Sequence, residues 1–200
     1  MKKLSIKNYK FRANQRAFTL IESLVAITVL TVAVAAPLSL ASQSLMSAYS
    51  SRDQVIASHL AQESVEAVRA QRDHNLLAIL KTGSSIDWLD GLYVELVGDA
   101  AKPFMVDSLS VNNNFISCGG SDPSSCEYLL FDPSTGFYGH ENGDPSKFKR
   151  FVRIIEVPST SKDEVTVRTE VQWSRGVAGA TRSVIVEENI YKWISGITTP

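Results

Sequence analysis

Hydrophobic positions follow three different rules along the 200 residues of the chain. Residues 18–36, FTLIESLVAITVLTVAVAA, are almost unbroken apolar sequence with Glu22 as their one charge, and no Asp, Glu, Lys or Arg occurs over 23–51. About twenty helical residues cross a hydrocarbon core of roughly 30 Å, so the run predicts a membrane-spanning helix over 18–45, thinning at Ser39, Ser42 and Ser44. Over 52–74 the rule changes. Ile56, Leu60, Ala61, Val65 and Val68 return at three- to five-residue spacing among Arg52, Gln62, Glu63, Glu66, Arg69 and Arg72, the period of a helix with one apolar face. Neither Gly nor Pro occurs between Leu38 and Gly83, so one helix over 18–75 is expected. At 1.5 Å per residue it forms a rod of about 85 Å.

Near the C-terminus the period becomes two. Val165, Val167, Thr169, Val171 and Trp173 alternate with Glu164, Thr166, Arg168, Glu170 and Gln172, the pattern of a strand buried on one face. Residues 151–157 form a second strand ending at Pro158, and 183–187 a third leading to Ile190, Tyr191 and Trp193; 175–180, with Gly176 and Gly179, is a hairpin connection. The Val/Trp face needs a cover, and the Ile56/Leu60/Val65/Val68 stripe supplies one. The expected fold is therefore α+β: a long helix packed on an antiparallel sheet over about 148–193, in an exported head spanning 76–200. Residues 82–85 read as a linker, 88–96 as a turn and first strand, and the Asn-, Ser- and Gly-rich stretch 108–126 as a long irregular loop.

The charge total of −1 averages two unlike parts. Residues 1–17 hold Lys2, Lys3, Lys7, Lys10, Arg12 and Arg16 and no acid, a leader of +6, whereas 18–200 hold 14 bases against 21 acids, or −7. By the positive-inside rule the N-terminus stays cytoplasmic and everything beyond about residue 45 is exported. An overall acidic body argues against nucleic-acid binding by phosphate neutralisation. A secretory signal peptide cut near 34–36 or 39–41 accounts for the basic and apolar parts, as does an uncleaved anchor. Neither accounts for Glu22, since a carboxylate inside a spanning helix costs roughly 2.5–3.5 kcal/mol at mid-helix.

The segment AFTLIESLVA, residues 17–26, resembles the N-terminus of type IV pilins and type II secretion pseudopilins. The resemblance is strongest over about 12–40. It implies cleavage of the leader by prepilin peptidase between Ala17 and Phe18, N-methylation of Phe18, and Glu22 as the fifth residue of the mature chain. Ala17 stands where the family usually has Gly. The resemblance further implies that Glu22 pairs with the new amine of a neighbouring subunit, that Leu20, Ile21, Leu24 and Val25 pack inside a filament, and that the chain is a lollipop-shaped structural subunit without catalytic activity. Its partners are then prepilin peptidase, other pilins or pseudopilins, the inner-membrane assembly platform and membrane lipid. In that family a proline near Pro37 accompanies a bend or local melting; a simple kink is the plainer reading. Residues 57–75, ASHLAQESVEAVRAQRDHN, resemble minor pilins and pseudopilins more than major ones. The competing picture is a membrane-tethered extracytoplasmic binding module that does not polymerise, which has no need of Glu22.

Cys118 and Cys126 bracket seven residues, GGSDPSS. Export and proximity favour a disulfide, with free thiols or metal ligands as the alternative. Asp132, Glu141, Asn142 and Asp144 carry oxygen atoms that calcium could use, but their spacing does not match an EF-hand, and turns explain them more simply. His59 and His74 read as surface or helix-end residues, and His140 lies within the same 132–144 stretch of solvated turns. No nucleophile elbow, phosphate loop or metal-binding pair occurs, so the sequence presents no catalytic site, metal or cofactor.

Overall fold

A computed structural model describes residues 19–92, 96–97, 100–109, 114–157, 163–174 and 180–194. The expected leader, Ala17, Phe18 and the 175–179 connection lie outside the described residues, as do Tyr93 and Val94 of the expected first strand. The chain divides into two compact units, Met1–Tyr49 and Ser50–Pro200. Helix α1, Leu20–Thr82, runs through Pro37 without interruption.

In the first unit every described side chain is exposed, apolar ones included; Leu20 is 84% and Leu30 64% accessible. A helix apolar all round and uncovered is built for lipid or for other helices rather than for a core of its own. Several of its hydroxyls bond back to the helix itself. Thr28 Oγ1 donates to the Val25 carbonyl at 2.8 Å, Thr31 Oγ1 to Thr28 at 2.9 Å and Ser39 Oγ to Ala36 at 2.9 Å. Such back-bonding is what a hydroxyl does where no water reaches it.

In the second unit the rest of α1 packs on a sheet. Leu60, Val65 and Val68 are buried as the stripe predicts, together with the small residues Ala57, Ala61, Ser64 and Ala67, which let the helix backbone approach the strands closely. The helix also extends past residue 75, the expected end. Leu76 continues the buried face and Ile79 packs beside it, and the stop is Gly83, whose φ of +63° and N–H bond to the Ile79 carbonyl at 3.0 Å make it a C-terminal cap.

Among the described residues nine strands follow: β1 Leu96–Val97, β2 Ala100–Ala101, β3 Phe104–Asp107, β4 Asn114–Ser117, β5 Tyr128–Phe131, β6 Tyr138–Gly139, β7 Asp144–Glu156, β8 Glu164–Trp173 and β9 Arg182–Tyr191. β1 and β2 pair alone; the other seven form one antiparallel sheet. β7, β8 and β9 lie side by side, with Phe148 opposite Trp173 and Trp173 opposite Arg182. The other edge of β7 is shared: β3 meets it at Val152 and carries β4, while β5 meets it over 144–149 and carries β6. The β6–β7 turn requires Gly143, whose φ is +127° and where a Cβ would come within 2.6 Å of the Phe131 carbonyl group.

β8 buries alternate residues as expected, its Val/Trp side facing α1. The opposite face carries a second, smaller core that the sequence did not announce. Met105, Ile116, Phe151 and the Cys118–Cys126 disulfide pack there. Residues 108–126 are therefore not a continuous loop. β4 occupies 114–117, and Pro123–Ser125 is a 3-10 turn capped by Asp122, whose carboxylate accepts from Ser124 N at 2.7 Å. Lys149 Nζ fastens this segment to β7 through the carbonyls of Pro123 and Ser124, at 3.4 and 3.0 Å. Closing so short a loop is worth about 2–3 kcal/mol in the loop-entropy account.

Candidate functional site

Glu22 stands in the first turn of α1. Thr19 precedes the helix, and the Glu22 N–H donates to its carbonyl at 3.0 Å and to its Oγ1 at 3.3 Å, so Thr19 acts as the cap that starts the helix here. A carboxylate in the first turn also faces the positive end of the helix dipole. Leu20, Ile21, Leu24 and Val25 are all exposed around it. Ile21, Glu22, Val25, Ala26, Val29, Leu30 and Ala33 line a shallow groove of about 660 Å³ along the helix. On the 3.6-residue period Ala26, Val29 and Ala33 follow directly beneath Glu22. The carboxylate thus heads a track narrow enough for another helix to approach closely. The structure gathers Leu20, Ile21, Glu22, Leu24 and Val25 at one helix start; Ala17 and Phe18 lie outside the described residues.

The second concentration of charge lies inside the head and escaped the sequence reading. Arg150 of β7 is fully buried. Its Nη2 donates to the Val106 carbonyl of β3 at 2.6 Å, its Nη1 donates to the Leu60 carbonyl of α1 at 3.2 Å, and the guanidinium pairs with Glu63 at 3.3 Å. Glu63 in turn accepts a hydrogen bond from Ser108 Oγ. Burial pulls the Arg150 pKa down, and Glu63 and Asp107 pull it back. The signal was present in the sequence. Parity along KFKRFVRIIE places Arg150 on the same face as Phe148, Val152 and Ile154, the inward face.

His140 is not the solvated turn residue expected. Both ring nitrogens are buried without a hydrogen-bond partner, and burial, reinforced by the Arg150 charge, lowers its pKa against the opposing pull of Asp107 and Glu127. A lowered pKa means that the unfolded chain takes up a proton before the folded one does. The contribution to stability is complete above the ordinary histidine value near 6.5 and is lost as pH falls from there through the folded value. Urea unfolding midpoints are therefore expected to fall between pH 7.5 and 5.5. In His140→Gln that fall should be smaller; an identical fall in the variant would assign it to other groups.

Of the possible calcium ligands, Asp132 is engaged within its own turn. Asp132 accepts from Ser134 N at 2.8 Å, Ser134 Oγ at 2.6 Å and Thr135 Oγ1 at 3.0 Å, which together hold its pKa below the usual carboxylate range. Among the described residues no three metal-ligating groups come together.

Residues 12–36 match the family described as the prokaryotic N-terminal methylation motif. Neither a curated protein nor a solved structure matches the chain. The matched stretch runs from Arg12 through the Ala17–Phe18 pair and Glu22 to Ala36, and so contains the described start of α1.

Proposed function

We propose that this chain, whose N-terminus is that of the type IV pilin and pseudopilin family, is a minor pilin or pseudopilin, a structural subunit of a type IV pilus or of a related secretion or DNA-uptake filament. Prepilin peptidase removes residues 1–17, Phe18 becomes the methylated N-terminus, and the helix waits in the inner membrane with the head on the far side. Assembly then moves subunits from lipid into a filament with help from an inner-membrane platform. One observation carries this reading: an exposed, otherwise uncharged helix start bears a single carboxylate, Glu22, at the fifth position after Ala17.

The chemistry follows from cost. Removing the leader takes six positive charges off the chain and creates one amine at the helix start. The amine and Glu22 are each expensive in lipid and compensate one another only when a neighbour brings its own terminus to the carboxylate. Such a pair adds little to one subunit and selects one stagger between two, and repetition of a head-to-tail contact builds an open helix. Leu20, Ile21, Leu24 and Val25 exchange lipid for neighbouring helices at the same step. The resemblance of 57–75 to minor subunits supports a minor rather than a major role. The test is the N-terminus of chain recovered from cells that carry prepilin peptidase: Phe18 supports the proposal and an intact Met1 overturns it.

A further inference from the structure

The head unit opens at Ser50, five residues after Leu45, where the apolar run ends. Five helical residues rise about 7.5 Å, and the headgroup layer on each side of a bilayer is about 5–8 Å deep. Distance along the chain alone therefore puts Ser50 at headgroup depth while the chain is anchored, with Arg52 two residues, or about 3 Å, beyond it. Tyr49, exposed just before them, is a residue type enriched at that depth.

Cations of the sheet converge on the same place. Arg182, the first residue of β9, donates from its guanidinium to Ser50 Oγ, and Lys147 of β7 pairs with Asp53 at 2.6 Å. Ser50, Asp53, Trp173, Ala180 and Arg182 line a cleft of about 120 Å³. Other arginines of the head are arranged differently. Arg69 meets Glu66 and Glu188, Arg150 meets Glu63, and Arg168 meets Glu187 at 2.5 Å, so each has a carboxylate against it. Arg182 meets a hydroxyl, a contact that uses a donor and cancels no charge. Lys147 and Arg182 against Asp53 leave this corner positive, and Arg52 adjoins Asp53 in sequence, although residues 18–200 as a whole carry −7.

We infer that the Ser50–Arg182 corner of the head is a docking surface for anionic phospholipid headgroups, holding the head down on the bilayer until the subunit leaves for the filament. A guanidinium matches phosphate oxygens in a two-pronged geometry that a hydroxyl only partly occupies. Each cation near an anionic bilayer strengthens the association about fivefold, and salt weakens it. The inference rests on the membrane anchoring proposed above, and its test separates the two.

The full chain, with a nitroxide on Ser183→Cys beside Arg182, is reconstituted in phosphatidylcholine vesicles with and without phosphatidylglycerol. Nickel-chelating lipid reports contact between the nitroxide and the headgroups. Contact is expected to rise when phosphatidylglycerol is present, by about fivefold for each engaged arginine. Arg52→Gln with Arg182→Gln should abolish that rise, and Arg168→Gln, which removes a carboxylate-paired charge elsewhere, should keep it. Equal contact in both lipids, or a rise that survives loss of Arg52 and Arg182, overturns the docking surface. Chain washed out of both vesicle types by alkaline carbonate overturns the anchoring itself.

Discussion

Replacing Glu22 by alanine is expected to leave the chain in the membrane and take it out of the filament. The substitution removes the one group that opposes insertion, so retention in the inner membrane holds or improves. Assembly suffers the reverse effect. A neighbour's new amine then enters the apolar filament interior without a counter-charge, and breaking a buried pair from one side costs about 3–5 kcal/mol. At 1.4 kcal/mol per decade this is a loss of roughly two to three and a half orders of magnitude in incorporation. Glu22→Gln keeps the shape and hydrogen bonding of the side chain without its charge, and is expected to fail nearly as completely. The measurement is the fraction of chain recovered in sheared filaments relative to membranes, in cells supplying the other subunits. Normal incorporation of both variants would remove the ion pair from the account. A wild-type chain that itself stays out of the filaments would favour the tethered, non-polymerising head.

The second large effect belongs to Arg150. It joins three elements that are distant in sequence, α1 through Leu60 and Glu63, β3 through Val106, and β7 on which it stands. Arg150→Ala leaves a cavity, unpairs the Val106 carbonyl, and takes the compensating cation from buried Asp107. A destabilisation of about 3–5 kcal/mol is expected, or a fall of roughly 10 °C in the unfolding midpoint of a domain this size. Near-ultraviolet signals from Trp88 and Trp173, both buried in the head, follow that transition in the detergent-solubilised chain. Glu63, partly exposed, can be rehydrated, so Glu63→Gln should cost distinctly less. A loss below about 1 kcal/mol for Arg150→Ala would show that the surrounding apolar packing holds the layers together unaided.

How legible the molecule was depends on whether one residue or many carried the pattern. β8 could be read because Val165, Val167, Val171 and Trp173 all face one buried layer, so period two survives unbroken. The disulfide could be read because two cysteines lie close in sequence, in a segment expected to be exported. The end of α1 was misplaced because Leu76–Leu80 looked like a separate apolar run, although Gly83 is the first residue able to end the helix in a left-handed turn. β4 was hidden by composition. Phe115 and Ile116 sit among Asn, Ser and Gly, and the strand forms because β3 lies beside it and the disulfide loop folds over its outer face. The same lack of local signal concealed β5 and β6, two short strands that exist only as partners of β7 and of one another. At the candidate assembly site the opposite held. The AFTLIESLVA segment was visible from residue types alone, because its chemistry requires one acid at one spacing within otherwise apolar sequence.

The central claim is that this chain is processed into an assembling subunit, and the intact mass and N-terminal sequence of membrane-recovered protein test it most directly. Co-expression with prepilin peptidase should yield a chain that starts at Phe18, lacks the 17 leader residues and carries a methyl group on its terminal amine, while an inactive peptidase should leave Met1 in place. A chain that keeps its leader beside the active enzyme, or that begins at Ser42 after an ordinary signal-peptide cut, would contradict the account.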